Sequence, residues 1–472
     1  MKKSERIPSV EIQAPESGEI DLYQKREKIY TRKVEGFYQR IRLFTGWPLL
    51  LGYFLLPWLT WDGRPAVLFD LPARKFHIFH ITLWPQDLPL LAWLLIIAAF
   101  ALFTVTMWAG RVWCGYTCPQ TVWTAIFMWA EEFAEGSRHQ RIKLDQAPWS
   151  AEKVARKTLK HVMWFGFAFL TGVTFVGYFT PIRELLIGLF TLDAHFWSYA
   201  WTVFFTGATY INAGWLREQV CIYMCPYARF QAAMFDRDTL IVSYDKERGE
   251  PRGARKVGTD PAALSLGDCI DCSICVQVCP TGIDIRDGLQ YECINCALCI
   301  DACNEVMDRM GYARGLIRYT TENALDGKPT RMLRPRLMGY AAILLIMAGL
   351  FVYTVLTRVP VGLDVVRERT QLYRETSDGL VENTYLLTIR NMSEQAHEFE
   401  ISMRGLEGAQ LVGSTRVEVA GGAAHELPLR LTVDPAALTN SNVDIEFVVE
   451  ATDEPSYRAT TESRFLGPRL PR

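Results

Sequence analysis

Eight cysteines between positions 269 and 303 carry the plainest chemistry in this chain. They read Cys269-x2-Cys272-x2-Cys275-x3-Cys279-Pro280 and, after a short spacer, Cys293-x2-Cys296-x2-Cys299-x3-Cys303. A zinc site would be two CxxC pairs across a loop. A third Cys at the same spacing, and a fourth followed by Pro, is instead the run that holds cubane iron–sulfur clusters. Two runs specify two 4Fe–4S clusters. Because the fourth Cys of each run serves the other cluster, the expected ligands are Cys269, Cys272, Cys275 and Cys303 for one, and Cys279, Cys293, Cys296 and Cys299 for the other. Asn304 stands where the second run would usually carry Pro, which touches no ligand. A disulfide-stapled domain would need an oxidising compartment, and the charge pattern places this segment on the reducing side.

The remaining four of the 12 cysteines form an internal repeat. One copy reads Arg111-Val-Trp-Cys114-Gly-Tyr116-Thr-Cys118-Pro119, the other Arg217-Glu-Gln-Val-Cys221-Ile-Tyr223-Met-Cys225-Pro226. Each follows an apolar stretch and precedes an amphipathic run, 122–133 and 230–235. Positions four apart share a helix face, so each pair is expected to point one way from a last helical turn that the following Pro closes. Two helical hairpins related by an axis along the membrane normal would bring the four thiols together. Thiolates favour Cu(I), zinc or iron–sulfur clusters, and Arg111 and Arg217 are expected to favour the thiolate form. Lone membrane cysteines are usually packing residues, but two matching motifs on the side of the clusters argue for a redox or soft-metal role. A disulfide within a pair is disfavoured by the reducing compartment and the helical spacing.

These residues need a scaffold, and composition says which kind. Half of the 472 residues are hydrophobic and the formal net charge is −2, with no basic footprint for nucleic acid. Apolar stretches near the 20 or so residues a bilayer requires are expected at 44–61, 88–109, 159–180, 196–216 and 337–356. Lys and Arg crowd the N-terminus, the 110–160 connector and the segment ending Arg331, Arg334, Arg336, while the loops at 60–87 and 181–195 hold few. The positive-inside rule then puts the N-terminus and the cluster region in the cytoplasm and the C-terminus outside. The polar tail 1–43 shows no removable signal-peptide pattern. Its start is expected to be disordered, and Lys25 to Arg42 reads equally as a surface helix on anionic lipid or a solvated basic tail. Beyond Arg358, strand-length segments at 382–390, 398–403, 426–433 and 443–450 with turn residues between them predict an immunoglobulin-like sandwich, with His397 and His425 on its surface. The expected whole is a multi-domain integral membrane protein. Its parts are the tail at 1–43, a four-helix region at 44–235, an inserted two-cluster ferredoxin-like domain at 236–336, a fifth helix at 337–357 and a sandwich at 358–472.

The run from Arg111 to Trp123, the loop Ser243-Tyr-Asp-Lys-Glu-Arg248-Gly-Glu-Pro-Arg252-Gly, and Gly282-Ile-Asp-Ile-Arg-Asp-Gly-Leu-Gln-Tyr-Glu-Cys293-Ile-Asn-Cys296 resemble the FixG/CcoG/RdxA family over nearly the whole chain. Ser273, where a small Gly is expected, is a departure. The resemblance implies a bacterial inner-membrane iron–sulfur protein needed for assembly of a cbb-type cytochrome c oxidase, reducing Cu(II) to Cu(I), with the sandwich on the periplasmic side. In that reading Cys114, Cys118, Cys221 and Cys225 hold copper, and copper chaperones or oxidase assembly factors are partners. Arg248, Arg252, Arg255 and Lys256 could dock an acidic donor of ferredoxin or flavodoxin type, though the positive-inside rule alone accounts for them. His77 with His80, and His161, are lesser metal candidates than interfacial hydrogen-bonders, and Tyr116 and Tyr223 equally suit the site or the interface. Alternatives are electron transfer to a quinone or partner protein, or a redox-sensing assembly scaffold; a homodimer is left open.

Overall fold

Residues 28–261, 264–393 and 395–468 are described by a computed structural model. Nine helices come first in the described chain: α1 (Phe37–Leu55), α2 (Leu88–Ala109), α3 (Val112–Tyr116), α4 (Pro119–Glu135), α5 (Arg138–Gln146), α6 (Ala151–Val176), α7 (Ile182–Thr191), α8 (Phe196–Thr209) and α9 (Pro226–Met234). Among the described residues three helices are long and apolar enough to cross a membrane: Pro85–Ala109, Ala151–Val176 and a later one, α14 (Pro335–Leu356). The expected spans 44–61 and 196–216 are helical but do not join them. α1 starts early enough to include Arg40 and Arg42 and ends at Leu55, and α8 passes after 14 residues into π-helical turns at Tyr210–Leu216. Nevertheless α1 and α6 end together. Tyr53 donates to Thr171 O at 2.9 Å, and Tyr178 donates to Tyr53 O at 2.9 Å.

At that end lie short strands β1 (Thr60–Trp61) and β2 (Arg64–Pro65), and a three-stranded sheet of β3 (Val67–Asp70), β4 (Lys75–Ile78) and β5 (Ile81–Leu83). Phe69 N donates to Tyr178 O at 2.7 Å, fixing this sheet on the end of α6. At the opposite end sits the cysteine-rich domain. Strand β6 (Ile241–Tyr244) pairs antiparallel with β7 (Ile317–Thr320), enclosing α10 (Lys246–Gly249), α11 (Ile274–Gln277) and α12 (Leu298–Met310), and α13 (Glu322–Leu325) leads to α14. Its core is Val242, Ile300, Met307, Leu316 and Ile317.

Among the described residues, the stretch before α1 is neither a lipid-lying helix nor a free tail. Residues 28–36 run without regular structure as a strap. Arg32 N donates to Gln277 O at 2.8 Å, Tyr30 donates to Asp145 at 2.7 Å, and Val34 is buried against Val278, Ile294 and Cys296. Lys25, Arg26 and the start of the tail lie outside the described residues. At the first turn of α1 the unpaired N–H groups find an acceptor on the cysteine-rich domain: Asp301 accepts from Tyr38 N at 3.2 Å and Gln39 N at 2.8 Å.

The C-terminal region is a two-sheet sandwich. One sheet orders β12 (Gln410–Val412), β14 (Ala424–Val433), β10 (Val381–Asn391) and β8 (Val361–Arg367), with β9 (Arg374–Glu375) beside β10. The other orders β13 (Arg416–Val419), β11 (His397–Arg404), β15 (Asn442–Ala451) and β16 (Arg458–Leu466). Tyr385 and Phe447 meet edge-on across the core, centroids 5.0 Å apart. His397 is not a surface residue. Its ring is buried against Tyr457, and Nδ1 lies 2.7 Å from Asp453, while His425 is exposed. The sandwich meets the helices on the side of the small sheet, through Arg358 to Asp87 at 2.6 Å and Lys75 to Gly422 O at 2.5 Å.

Candidate metal centres

The cysteine-rich domain holds two small adjoining cavities walled by cysteines and mostly apolar side chains, with Cys275 common to both. Cys269, Cys272, Cys275 and Cys303 line one with Tyr244, Ile317 and Met307. Cys279, Cys293, Cys296 and Cys299 line the other with Val242, Ile285 and Ala297, beside Cys275 of the first set. The fourth Cys of each run therefore sits with the first three of the other. Local backbone makes this possible: in both loops the residues flanking the second Cys, Asp271 and Ser273, Asn295 and Ala297, all take positive φ between 51° and 59° and curl the chain around the cavity. The missing Gly at 273 is thus a residue held in the left-handed region, at a cost of about 1–2 kcal/mol.

The thiols suit an iron–sulfur cluster and not a lone ion. Zn–S bonds of about 2.3 Å would draw the thiolates to within about 4 Å of one another, yet among the described residues no three His, Cys, Asp or Glu side chains come together closely enough to hold a single metal ion. Burial pushes the thiols of Cys275, Cys293 and Cys303 up to about 12. Cages of this kind become thiolate when cationic iron offsets the desolvation.

The second set of thiols adjoins the first. Gly115 lies flat on the second cage, so that a Cβ there would sit 2.7 Å from Ile294 O and 2.9 Å from Cys296 Cα. Arg111, 4 % exposed, lies over the Tyr291 ring and donates to Tyr291 O at 2.5 Å and to Ala228 O at 2.6 Å. One guanidinium so joins the first motif, the helix after the second motif, and the loop leading to Cys293. Cys114 donates to buried Gln231 of α9 at 3.5 Å. Cys114 and Cys118 of the first motif lie within electrostatic reach of Cys221 and Cys225 of the second.

Two expectations about these motifs are corrected. The prolines do more than close the preceding helices: Cys225 caps the end of the turns Val220–Met224 as expected, whereas α3 is already capped at Thr117, and Cys118 and Cys225 are also N-caps, with Pro119 and Pro226 as the first residues of α4 and α9. Proline's fixed φ and missing N–H suit that position. Cys221 itself lies in a π-helical turn, Val220–Met224. The arginines do not produce thiolates either. Burial pushes Cys114 up to about 12 against the pull of Arg111, and Arg217 is engaged elsewhere, donating to Glu131 at 2.9 Å.

Glu131, 1 % exposed, also accepts from Arg141 at 3.2 Å, and neighbouring Glu135 binds Lys157 at 2.9 Å and Lys160 at 2.8 Å. This network holds α4, α5, α6 and the turn before Cys221 together. The histidines stay apart from the thiols. His77 is on β4 beside Thr82 at 3.0 Å while His80 follows a left-handed Phe79, and His161 bonds Tyr210 at 2.7 Å and stacks on Trp215. Of the proposed donor-docking cations, Arg248 is spent on Asp268 at 2.6 Å and Arg255 on Gly267 O at 2.7 Å and Tyr312 at 2.9 Å. Tyr116 faces inward, its hydroxyl 3.1 Å from Tyr319, whereas Tyr223 is 45 % exposed.

Sequence reasoning passed over Gly115, Gln231, Asp301 and Glu131. For Gly115 a signal existed: the repeat carries Ile222 at the matching position, so only the copy that meets the cage lacks a side chain.

Residues 216–322 match the family described as a 4Fe-4S dicluster domain, and residues 90–136, which include Cys114 and Cys118, a 4Fe-4S binding domain. Residues 351–468 match the Ig-like fold at the C-terminal of FixG. Nitrogen fixation protein FixG of Rhizobium meliloti is 37 % identical over 83 % of this chain and 82 % of its own, and protein RdxA of Cereibacter sphaeroides 42 % over 90 % and 94 %. The chain belongs to the FixG/RdxA family. A FixG-related protein of Vibrio parahaemolyticus, solved by crystallography, is 32 % identical over 23 % of this chain and 95 % of its own, with a TM-score of 0.21. As a FixG/RdxA protein the chain is an iron–sulfur protein of the 4Fe–4S type, and its three apolar helices associate it with membranes.

Proposed function

We propose that this protein is an electron-transfer protein that reduces Cu(II) to Cu(I) for assembly of a cbb-type cytochrome c oxidase. In this reading Cys269, Cys272, Cys275 and Cys303 hold one 4Fe–4S cluster, and Cys279, Cys293, Cys296 and Cys299 the other. Such clusters supply one-electron redox chemistry when bound. The observation that carries the reading is the seat of Gly115 on Cys296, which leaves no side chain between the second cage and the Cys114 motif. Copper is the substrate, received by Cys114, Cys118, Cys221 and Cys225, whose soft thiols favour Cu(I) over Cu(II) and so draw the reaction forward. Arg111 and Gln231 hold that set against the cage, and the four thiols are half-buried there. The N-terminus and cysteine-rich domain are cytoplasmic in an inner membrane, where a ferredoxin- or flavodoxin-type donor would dock, and the sandwich is periplasmic, facing chaperones or oxidase subunits.

The test is anaerobic. Protein reduced and desalted receives Cu(II), and Cu(I) is followed with a specific chelator, in wild type and in a variant with Ser at 114, 118, 221 and 225. Loss of Cu(I) in a variant that keeps both clusters supports the reading, and equal reduction by the two overturns it. The match over 90–136 favours a second reading, in which the same four thiols hold an iron–sulfur cluster of their own. Iron in excess of that bound by the two cages, lost in the same variant, would select it.

A further inference from the structure

We infer that the cavity between α1, α4 and the second cysteine cage is a binding site for an isoprenoid quinone, ring inward and tail toward the lipid. At about 660 Å³ it falls within the roughly 300–1,000 Å³ of a small-molecule pocket, so it has room for a ring and the first part of an apolar tail, the rest of which would lie in the lipid. Its middle is hydrocarbon: Leu50, Leu51 and Phe54 of α1, Met128 of α4, and Phe167 and Leu170 of α6. Trp47 and Trp129, 58 % and 53 % exposed, flank it on the faces these helices turn outward, so an occupant arrives from the bilayer and not from water.

The inner end distinguishes a quinone from a phospholipid. Arg42, Arg141 and Arg217 line the cavity, but Arg42 donates to Gly115 O at 3.0 Å and the other two to Glu131. Glu132 and Glu218 share the wall and repel a phosphate; Arg32 and Lys33 belong to the exposed strap, where Lys33 pairs with Glu35 at 3.5 Å. A neutral carbonyl ring needs no counter-charge, and the polar groups of Tyr116, Gln120 and Thr121 stand there; they are engaged with Tyr319 at 3.1 Å, Asn212 O at 2.9 Å and Cys114 O at 2.5 Å, so a ring carbonyl would share these groups. The same end is formed by Cys221 and by Pro280 and Ile294, chain neighbours of Cys279 and Cys293. An occupant would thus abut both thiol sets, a position with a consequence only for a redox-active ring. The inference does not depend on copper as substrate.

The probe is a benzoquinone with a decyl tail, titrated onto the full-length protein, clusters loaded, in nanodiscs of phosphatidylethanolamine and phosphatidylglycerol. Gly46 lines the cavity and a Cβ on it would meet nothing nearer than Val122 at 3.8 Å, so a Cβ there is accommodated and Gly46→Leu adds its side chain at the cavity wall beside Val122. Saturable binding by wild type, about tenfold weaker in Gly46→Leu with cluster absorbance unchanged, is the expected result. Ala125→Leu, filling the opposite wall, serves as the second variant should the first lose its clusters. Absence of saturable binding, equal binding by the variants, or a co-purified phospholipid that the quinone fails to displace overturns the assignment.

Discussion

Cys279 and Cys303 are the residues whose partners depend on the fold and not on their nearest neighbours in sequence, so they test the cages most sharply. Replacing Cys303 by Ser should remove one cluster and leave the other. Iron content would fall by about half, and electron paramagnetic resonance of the reduced protein would show one centre without the coupling of a close pair; Cys279→Ser should do the same to the other centre. Gly115 makes a different kind of demand. Its hydrogen is the only substituent that fits 2.7 Å from Ile294 O, so Gly115→Ala must part the Cys114 motif from the cage, at a cost of about 1–3 kcal/mol for overpacking. The expected outcome is retained clusters with several-fold slower copper reduction; unchanged rates would mean the contact is packing alone. The cage cysteines were legible because cluster ligation dictates their spacing. Gly115 was not, because its reason lies on a segment nearly 180 residues further along, which only the fold brings back.

The elements were legible where a single force shapes them. The strands expected at 382–390, 398–403, 426–433 and 443–450 are all present and longer by one or two residues at their ends, since alternating burial needs no distant partner to be read. The motif helices were misread because Pro both ends one helix and begins the next, and the π-helical turns before Cys225 have no composition of their own. What holds those turns is a buried carboxylate. Removing Glu131 leaves Arg141 and Arg217 buried without their counter-charge, and uncompensated charges of this kind cost about 3–5 kcal/mol. Glu131→Ala should therefore lower the thermal midpoint strongly, whereas Glu152→Ala, whose pair with Arg156 is exposed, should leave it nearly unchanged. The strap has a pH limit of its own. Burial alone would raise the Asp145 carboxyl, but hydrogen bonds from Lys157, Lys28 and Tyr30 outweigh it and hold it well below the usual carboxylate range. A depressed carboxylate contributes its stability above its unfolded value, about 3.9, and loses it as pH falls from there toward the folded value. The protection factors of the α5 amides, with the intrinsic pH dependence of exchange divided out, should fall in that acid range and be constant above it.

On the scale of the molecule, the sequence predicted opposite faces for the two soluble regions from Lys and Arg counts, while the fold supplies an independent reason. α14 rises about 33 Å over its 22 residues, close to the roughly 30 Å of a hydrocarbon core, and joins the cysteine-rich domain to the sandwich directly. α2 runs antiparallel beside it, with Trp93 against Phe351 and Phe100 against Tyr340. Its first end is tied to the sandwich through Asp87 and Arg358, and its last end delivers Cys114 to the cage. Neither helix buries any of its apolar window in protein, so lipid is the environment that satisfies both. Inverting one without the other would break the Asp87–Arg358 pair and tear the motif from Cys296, so any crossing takes both helices together. Alkaline phosphatase fused after Arg358 should accordingly be active and fused after Thr330 inactive, and the charge rule says which way round, because Arg331, Arg334 and Arg336 stand at the α13–α14 end. Activity at Thr330 alone would reverse the orientation while keeping the fold. Activity at both positions would show that α14 lies along the surface, and the separation of donor face from delivery face would have to be abandoned.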